Sequence, residues 1–505
     1  MNFEVSPLKK FETFSKAQLI DRVELLEDEV LRVVRENYQL RNQNVTDTQI
    51  KLLIEEQVQA LQATLYGASS ERYKKPVPPK EEEIDKEPAR PRIKRPSERY
   101  PNVPVREELV RIEPAPSCTV CGANMTEMGA TEDDERLTVI PKRFEIIRTK
   151  RMKYRCSCQG CVTTAEAAKR IIEGASYSDE MMLDVALSKY CDLIPIERYC
   201  KMAGRGGLKD LPPHSLIETT HQLAEFLYPV YGKLKEGIMD SRILHADETP
   251  HKMLEGSSTK SWYLWGFTNG QDSYFECHDT RSGDVASEIL KDSQCQYLMS
   301  DVYSGYGKAV RIVNEERKDA AGVLIQNVHC NAHARRYFFK SWQSKYKEAE
   351  FYLDCYQEIY KLYGEERNKA PPDILQLRLQ MKAYFKGMFD QASLELSRYP
   401  EKSQYGRSLR YFLENYVGLT KFLDDPDIPI DNNLQERLLR SPVVGRKTWY
   451  GTHSKLGART AAILFSIVES CKLNEVNPRE YFPRITKDLL AGNPVYTPFE
   501  FKSPA

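Results

Sequence analysis

Three acidic residues, Asp247, Asp301 and Glu436, stand where this sequence pattern could gather carboxylates around divalent metal ions. Asp247 follows the apolar run Arg242–Ala246, and Asp301 follows Gln296–Met299. Both runs read as short strands that deliver an acid at their ends. Taken singly, a strand-end Asp is an ordinary turn or cap residue. Two such residues side by side repel each other, and a cation between them relieves the repulsion. Hard oxygen donors select magnesium or manganese. Two such ions about 3.5–4 Å apart can activate an attacking hydroxyl and stabilise the leaving oxygen in phosphoryl transfer. The third acid is expected within Asp431–Pro442, where Asp431 caps a helix and Pro442 ends it. Glu436 lies one turn from Asn432 and Asn433 and shares a face with Arg440. Glu248 competes as an acid, but adjacent residues on a strand point to opposite faces.

The elements that must position these acids follow in order. Trp262–Phe267 and Ser273–Cys277 form a hairpin across Asn269-Gly270, and Asp284–Leu290 forms a helix. After the Gln296–Met299 strand and a short helix, Val323–Val328 is a strand leading into a helix near His333. This order matches a ribonuclease-H-like fold, whose first and fourth strands are neighbours at the sheet centre. Cys330 and His333 have ligand-like spacing, but beside Arg335 and Arg336 they read as the rim of the site. Trp449 and Tyr450 read as core side chains.

Upstream, Cys118 and Cys121 form a metal knuckle, with Gly122 permitting the tight turn. The second half holds three thiols. Cys158 and Cys161 make the better knuckle, and Cys156 competes with Cys158. Arg136–Arg155 alternates like β-strands, placing Arg151, Lys153 and Arg155 on one basic face able to meet a DNA backbone. The module reads as zinc-ribbon-like, with a structural Zn2+ whose four thiolates leave no open position. Leu19, Leu26, Val33 and Leu40 repeat every seven residues, with Val23, Val30 and Asn37 in the other seam position, as in a self-associating coiled coil. The proline- and charge-rich stretch that follows cannot bury a core and reads as a linker. Ser178–Asp240 is expected to be helical, with room for a helix-turn-helix.

Lysine plus arginine and aspartate plus glutamate both number 73, which argues against a simple basic DNA-coating protein. The longest strongly apolar stretch, Ala461–Val468, is too short to span a bilayer, and the start shows no apolar secretory core. A cytoplasmic protein is expected.

His245-Ala-Asp-Glu-Thr-Pro250, Ser300-Asp-Val-Tyr-Ser-Gly-Tyr306, Cys330-Asn-Ala-His-Ala-Arg-Arg336, Asp431-Asn-Asn-Leu-Gln-Glu-Arg437 and Gly445-Arg-Lys-Thr-Trp449 occur in that order. Together with Leu65–Arg72 after the zipper, the Cys knuckles and Ala461–Pro478, they resemble the motifs of insertion-sequence-66 type transposases. The resemblance implies a DDE transposase in the bacterial cytosol, with Asp247, Asp301 and Glu436 holding Mg2+ or Mn2+. It also implies that the N-terminal half recognises terminal inverted repeats. Arg335, Arg336, Arg446 and Lys447 are candidate phosphate contacts.

The expected architecture is multidomain α+β. It comprises a coiled coil at 1–72, a linker at 73–105, a zinc-binding module at 106–172 and a helical region at 173–240. The ribonuclease-H-like catalytic domain follows at 241–450, with a helical insertion at about 342–423, and a C-terminal helical region occupies 451–505. Expected partners are transposon-end and target DNA, a second copy of the chain, and accessory proteins of the same element. The alternatives are a nuclease that cuts without joining and a zinc-dependent DNA-binding regulator.

Overall fold

The computed structural model describes residues 95–109, 111, 116–117, 119–125, 134–140, 142–155, 157, 161–254, 261–319 and 322–502. The expected coiled coil lies outside these residues, as do Cys118, Cys156 and Cys158. The chain divides into two compact units, and residues 74–150 with 205–208 form the smaller one. In its described part, Pro96–Arg99 makes one helical turn, and Ser97 donates from both its amide and its hydroxyl to Glu135 at 2.9 Å. Ser117 bridges Asn124, and Gly122 between them takes φ +74°, the left-handed turn that its lack of a Cβ permits.

Among the described residues, the first strand of the larger unit is β1 (Lys153–Arg155), paired antiparallel with β2 (Val162–Thr164). The alternation over Arg136–Arg155 thus yields a single three-residue strand among the described residues. Leu137, Val139, Ile140, Ile146 and Ile147 are exposed, and alternating residues with no second layer to cover them do not hold a ladder. Four helices follow: α1 (Asp179–Tyr190), α2 (Ile196–Arg205), α3 (Pro213–Phe226) and α4 (Tyr228–Met239). The Ser178 side chain caps α1 by accepting from the Met181 amide.

A five-stranded sheet comes next: β3 (Ile243–Lys252), β4 (Ser261–Thr268), β5 (Ser273–His278), β6 (Tyr297–Ser300) and β7 (Gln326–His329). Its order is β5-β4-β3-β6-β7, with β6 and β7 parallel to β3 and the rest antiparallel. β3 does not end at Asp247 as the sequence suggests. Its pairing with β4 continues from His245↔Thr268 to Lys252↔Ser261. Pro250 is tolerated because β6 pairing has already ended at His245↔Met299, so its missing N–H costs no ladder bond on that side. Asn269 shapes the β4–β5 turn by accepting from the Gln271 and Asp272 amides, and Gly270 takes φ +90°.

Helices α5 (Gly283–Leu290) and α6 (Ser304–Asp319) flank β6. Beyond β7 come α7 (Asn331–Gln343), α8 (Ala349–Glu365), α9 (Pro371–Glu395), α10 (Gln404–Glu414) and α11 (Tyr416–Thr420). The chain then returns through α12 (Asn433–Leu438), α13 (Arg440–Trp449), α14 (Lys455–Leu473), α15 (Pro478–Ala491) and α16 (Pro498–Lys502). Pro442 does not stop the Glu436 helix. That helix already ends at Leu438, and Pro442 sits in the first turn of α13, where a proline's missing N–H is harmless.

Two cores cover the sheet, and at β6 they part by face, because successive strand residues point to opposite faces. Leu298 joins the first core with Leu244, Ala246, Phe267 and the α4, α5 and α14 side chains, while Met299 joins the second with Val328 and helices α7 to α10. α14 also protects the edge strand β5. Ser466 and Ser470 accept the Phe275 and Ser273 amides at 2.8 and 2.9 Å, so the open edge presents no unpaired donors there. Among the described residues no helix is long and apolar enough to cross a membrane.

Candidate active site

The parallel register of β3 and β6 is the first device that builds the site. The last paired residues are His245 and Met299, and Asp247 and Asp301 each stand two positions beyond them. Asp247 falls on the face of His245, toward the helical insertion. Glu248 falls on the other face, where its carboxylate is buried. There Arg281 donates to Glu248 Oε1 from Nε at 2.7 Å, and Tyr306 donates to Oε2 at 2.5 Å. The same guanidinium lies 3.9 Å over the Tyr303 ring, and the Tyr303 amide donates to Asp301 Oδ1 at 3.0 Å. Glu248 is thus the anchor of a brace that ties the Asp301 loop to β3.

Glu436 reaches the same place by a second device. Asn432, fully buried, shares a hydrogen bond with His245 Nδ1 at 2.9 Å and donates Nδ2 to the Ala246 carbonyl at 2.9 Å. Its amide donates to Cys330 Sγ at 3.2 Å, and the Tyr360 hydroxyl donates to Asp431 at 3.0 Å. Burial holds His245 neutral, its pKa lowered to about 4. α12 can approach the sheet this closely because β4 carries Gly266 opposite Asp247. A Cβ at Gly266 would collide with the Gln435 side chain and come within 2.7 Å of the Phe275 ring.

The electrostatics show what has been gathered. The Asp247 pKa is pushed up to about 8 by burial and then by the charges of Glu248, Asp301 and Glu436. Glu436 Oε1 is buried with no hydrogen-bond partner among the described residues. Around it stand His333 Nδ1 at 3.6 Å and, beside Oε2, Arg336 Nη2 at 3.9 Å. The expected neighbour Arg440 is not among these contacts. A buried carboxylate oxygen with an open lone pair, on a residue whose charge is felt by Asp247, suits a hard divalent cation.

The Asp247 carboxyl sets a pH dependence. A folded-state pKa above the ordinary 3.8 makes its stabilising contribution complete below pH 4 and lost as pH rises through about 8. The metal-free protein should therefore melt at progressively lower temperature from pH 5 to pH 8. Mn2+ should restore more at pH 8 than at pH 6, and Asp247→Asn should flatten both trends. Thermal unfolding with and without Mn2+ measures this, and a pH-independent melting point in the metal-free protein would refute it.

The other sequence-derived candidates lie on separate elements. Arg335 and Arg336 lie on α7, both half-buried. Arg446, half-buried, and Lys447, exposed, lie on α13. Arg151, Lys153 and Arg155 lie exposed at β1. Cys121 and Cys161 are exposed. Trp449 packs edge-on against Tyr190 at the core, as expected, whereas Tyr450 is exposed at 72% and takes φ +65°. Sequence reasoning missed Arg281 and Gly266. A glycine inside the aromatic run Trp262–Phe267 was the available signal for a close backbone approach.

A sequence profile described as "Transposase IS66 family" matches residues 174–460, which hold the whole sheet, the insertion and all three acids. The chain belongs to the IS66 transposase family. A second profile, the zinc-finger binding domain of transposase IS66, matches residues 115–159 of this transposase. That span includes Cys118, Cys121, Cys156 and Cys158 and ends before Cys161. Proteins of Sinorhizobium fredii (strain NBRC 101917 / NGR234) are similar to the transposase over most of its length. Uncharacterized protein y4qI is 27% identical over 419 residues, covering 79% of this chain and 76% of the relative. Uncharacterized protein y4hP is 23% identical over 419 residues, covering 78% and 74%. Uncharacterized protein y4jD is 25% identical over 399 residues, covering 76% and 77%.

Proposed function

We propose that this transposase binds the terminal inverted repeats of its element and cleaves and joins DNA with Asp247, Asp301 and Glu436 as a DDE triad in a ribonuclease-H-like core. The observation that carries this reading is that Asp247 and Asp301 each stand two residues beyond the last β3–β6 pair, with a third acid on a helix clamped to β3 by Asn432. Magnesium or manganese bound to these carboxylates supplies activation of the attacking hydroxyl and stabilisation of the leaving oxygen. The protein's own groups do the rest. Asp247, ionised on binding, and Asp301 would hold the cations just beyond the point where β3 and β6 stop pairing. Glu436 closes the donor set from the insertion side. Arg336 offsets its charge and, with Arg335, Arg446 and Lys447, meets phosphates. Water attacks at the transposon end and frees a 3′ hydroxyl, which then attacks target DNA. No covalent protein–DNA intermediate forms.

Upstream, Cys118 and Cys121 with two of Cys156, Cys158 and Cys161 hold a structural zinc, and Arg151, Lys153 and Arg155 follow the DNA backbone. The N-terminal zipper pairs two copies so that two ends are synapsed. The protein works in the bacterial cytosol, with accessory proteins of its element.

The test is a labelled transposon-end duplex incubated with Mg2+ or Mn2+. Wild type should yield joined product, and Glu436→Gln should lower joining by on the order of 10³-fold. Unchanged joining in the mutant would move the third carboxylate elsewhere. Cleavage without joining in wild type would favour a nuclease.

A further inference from the structure

The second face of Glu436 is occupied by a different chemistry from the first. Cys330 caps α7, His333 follows one turn later, and Glu436 faces both from α12. A sulfur, a ring nitrogen and a carboxylate oxygen from these three residues all lie within 4.8 Å of one another. His333 Nδ1 is 3.6 Å from Glu436 Oε1, the same buried oxygen that has no hydrogen-bond partner among the described residues. Cys330 Sγ accepts the Asn432 amide at 3.2 Å and the His333 amide as well. Burial pushes the Cys330 thiol up to about 12 and the two amide donors oppose that rise only in part, so it is the charge of a bound cation that would stabilise the ligating thiolate. The side chains of His333 and Glu436 remain 26% and 23% exposed, which leaves an entry path.

We propose that Cys330, His333 and Glu436 form a second metal site, selective for zinc-class ions, whose occupation draws Glu436 away from Asp247 and Asp301 and arrests DNA chemistry. Mixed sulfur, nitrogen and oxygen donors suit Zn2+, Co2+ or Cd2+ and are poor ligands for Mg2+. Three protein ligands leave a fourth position for water. The ion displaces the thiol proton, so binding strengthens as pH rises. Because one carboxylate cannot serve both sites fully, micromolar zinc inhibits in the presence of millimolar magnesium. The inhibitory consequence rests on the triad reading above, and the binding itself does not.

The experiment uses full-length protein with its zinc module already loaded. Added Co2+ should produce a thiolate-to-cobalt absorption and bind as one equivalent beyond the resident zinc. Cys330→Ser should abolish the absorption, and His333→Gln should weaken cobalt binding by about 100-fold, since an outer-shell partner alone is worth about 10–100-fold. The same variants should raise the zinc concentration that halves joining. Cys330 is fully buried, so if Cys330→Ser fails to fold, the half-buried His333→Gln decides the matter. Identical cobalt absorption and stoichiometry in wild type and His333→Gln would overturn the site. Normal joining with no additional cobalt bound would overturn it while leaving the triad intact. Cobalt binding in a protein that never joins DNA would support the site and count against the triad.

Discussion

Asp247→Asn should lower strand cleavage and joining by on the order of 10³-fold or more while leaving binding of the transposon end within a few-fold of wild type. The substitution keeps the shape of the side chain and removes one anionic donor from the centre. Asp247 is the group on which the site converges, since Glu248, Asp301 and Glu436 all raise its pKa. Removing its charge relieves that repulsion, so the metal-free variant should melt no lower than wild type at pH 8, where wild type pays for partial ionisation. Loss of activity without loss of stability separates a metal ligand from a packing residue. Gel-shift, single-turnover cleavage and thermal unfolding on one preparation make the comparison. Cleavage within tenfold of wild type would sink the assignment. Glu248 is poorly placed to substitute, because both its oxygens are already engaged on the opposite face by Arg281 and Tyr306.

Arg378→Met should be the most damaging substitution away from the acids. Arg378 is 1% exposed and forms a two-pronged pair with Glu366, at 2.9 Å from Nε and from Nη2. Its remaining donors reach the carbonyls of Phe422, Asp425 and Pro426. Those carbonyls belong to the turn that carries the chain out of the insertion toward Ile430, Asn432 and Glu436. Breaking a buried pair by removing one partner costs about 3–5 kcal/mol, because the other charge is left desolvated. For a unit of this size that lowers the melting temperature by on the order of 10 °C. The turn should also gain amide exchange, and joining should fall with it as the Glu436 segment loosens. Adding Glu366→Leu should recover part of the stability, since the uncompensated carboxylate is then gone. A single mutant as stable as wild type would mean that the turn holds Glu436 in place without Arg378.

The contrast between these two residues shows where the sequence is informative. Asp247 and Asp301 were legible because each ends an apolar run of strand length, and the strand order predicted that the two runs would be neighbours. The Asn269-Gly270 turn was legible for the same reason, since turn chemistry is written in adjacent residues. Arg378 carried no such signal. One arginine in an amphipathic helix looks like a solvated charge until the helix is packed, and only then is it seen to be buried. The strand alternation over Arg136–Arg155 misled in the opposite direction, because a local pattern becomes a strand only where a partner layer covers it.

By itself the sequence determined the periodicities, the turns, the identity and order of the acidic motifs and the thiol spacing, because all of these depend on residues a few positions apart. Only the tertiary structure decided the capture of Glu248 by Arg281 and Tyr306. It also decided the closeness of α12 to β4 through Gly266, and the pairing of Glu436 with His333 and Arg336 instead of Arg440. The Asn432–His245 clamp joins residues 187 positions apart. Contacts of that reach are selected by packing over the whole core, and no local spacing records them.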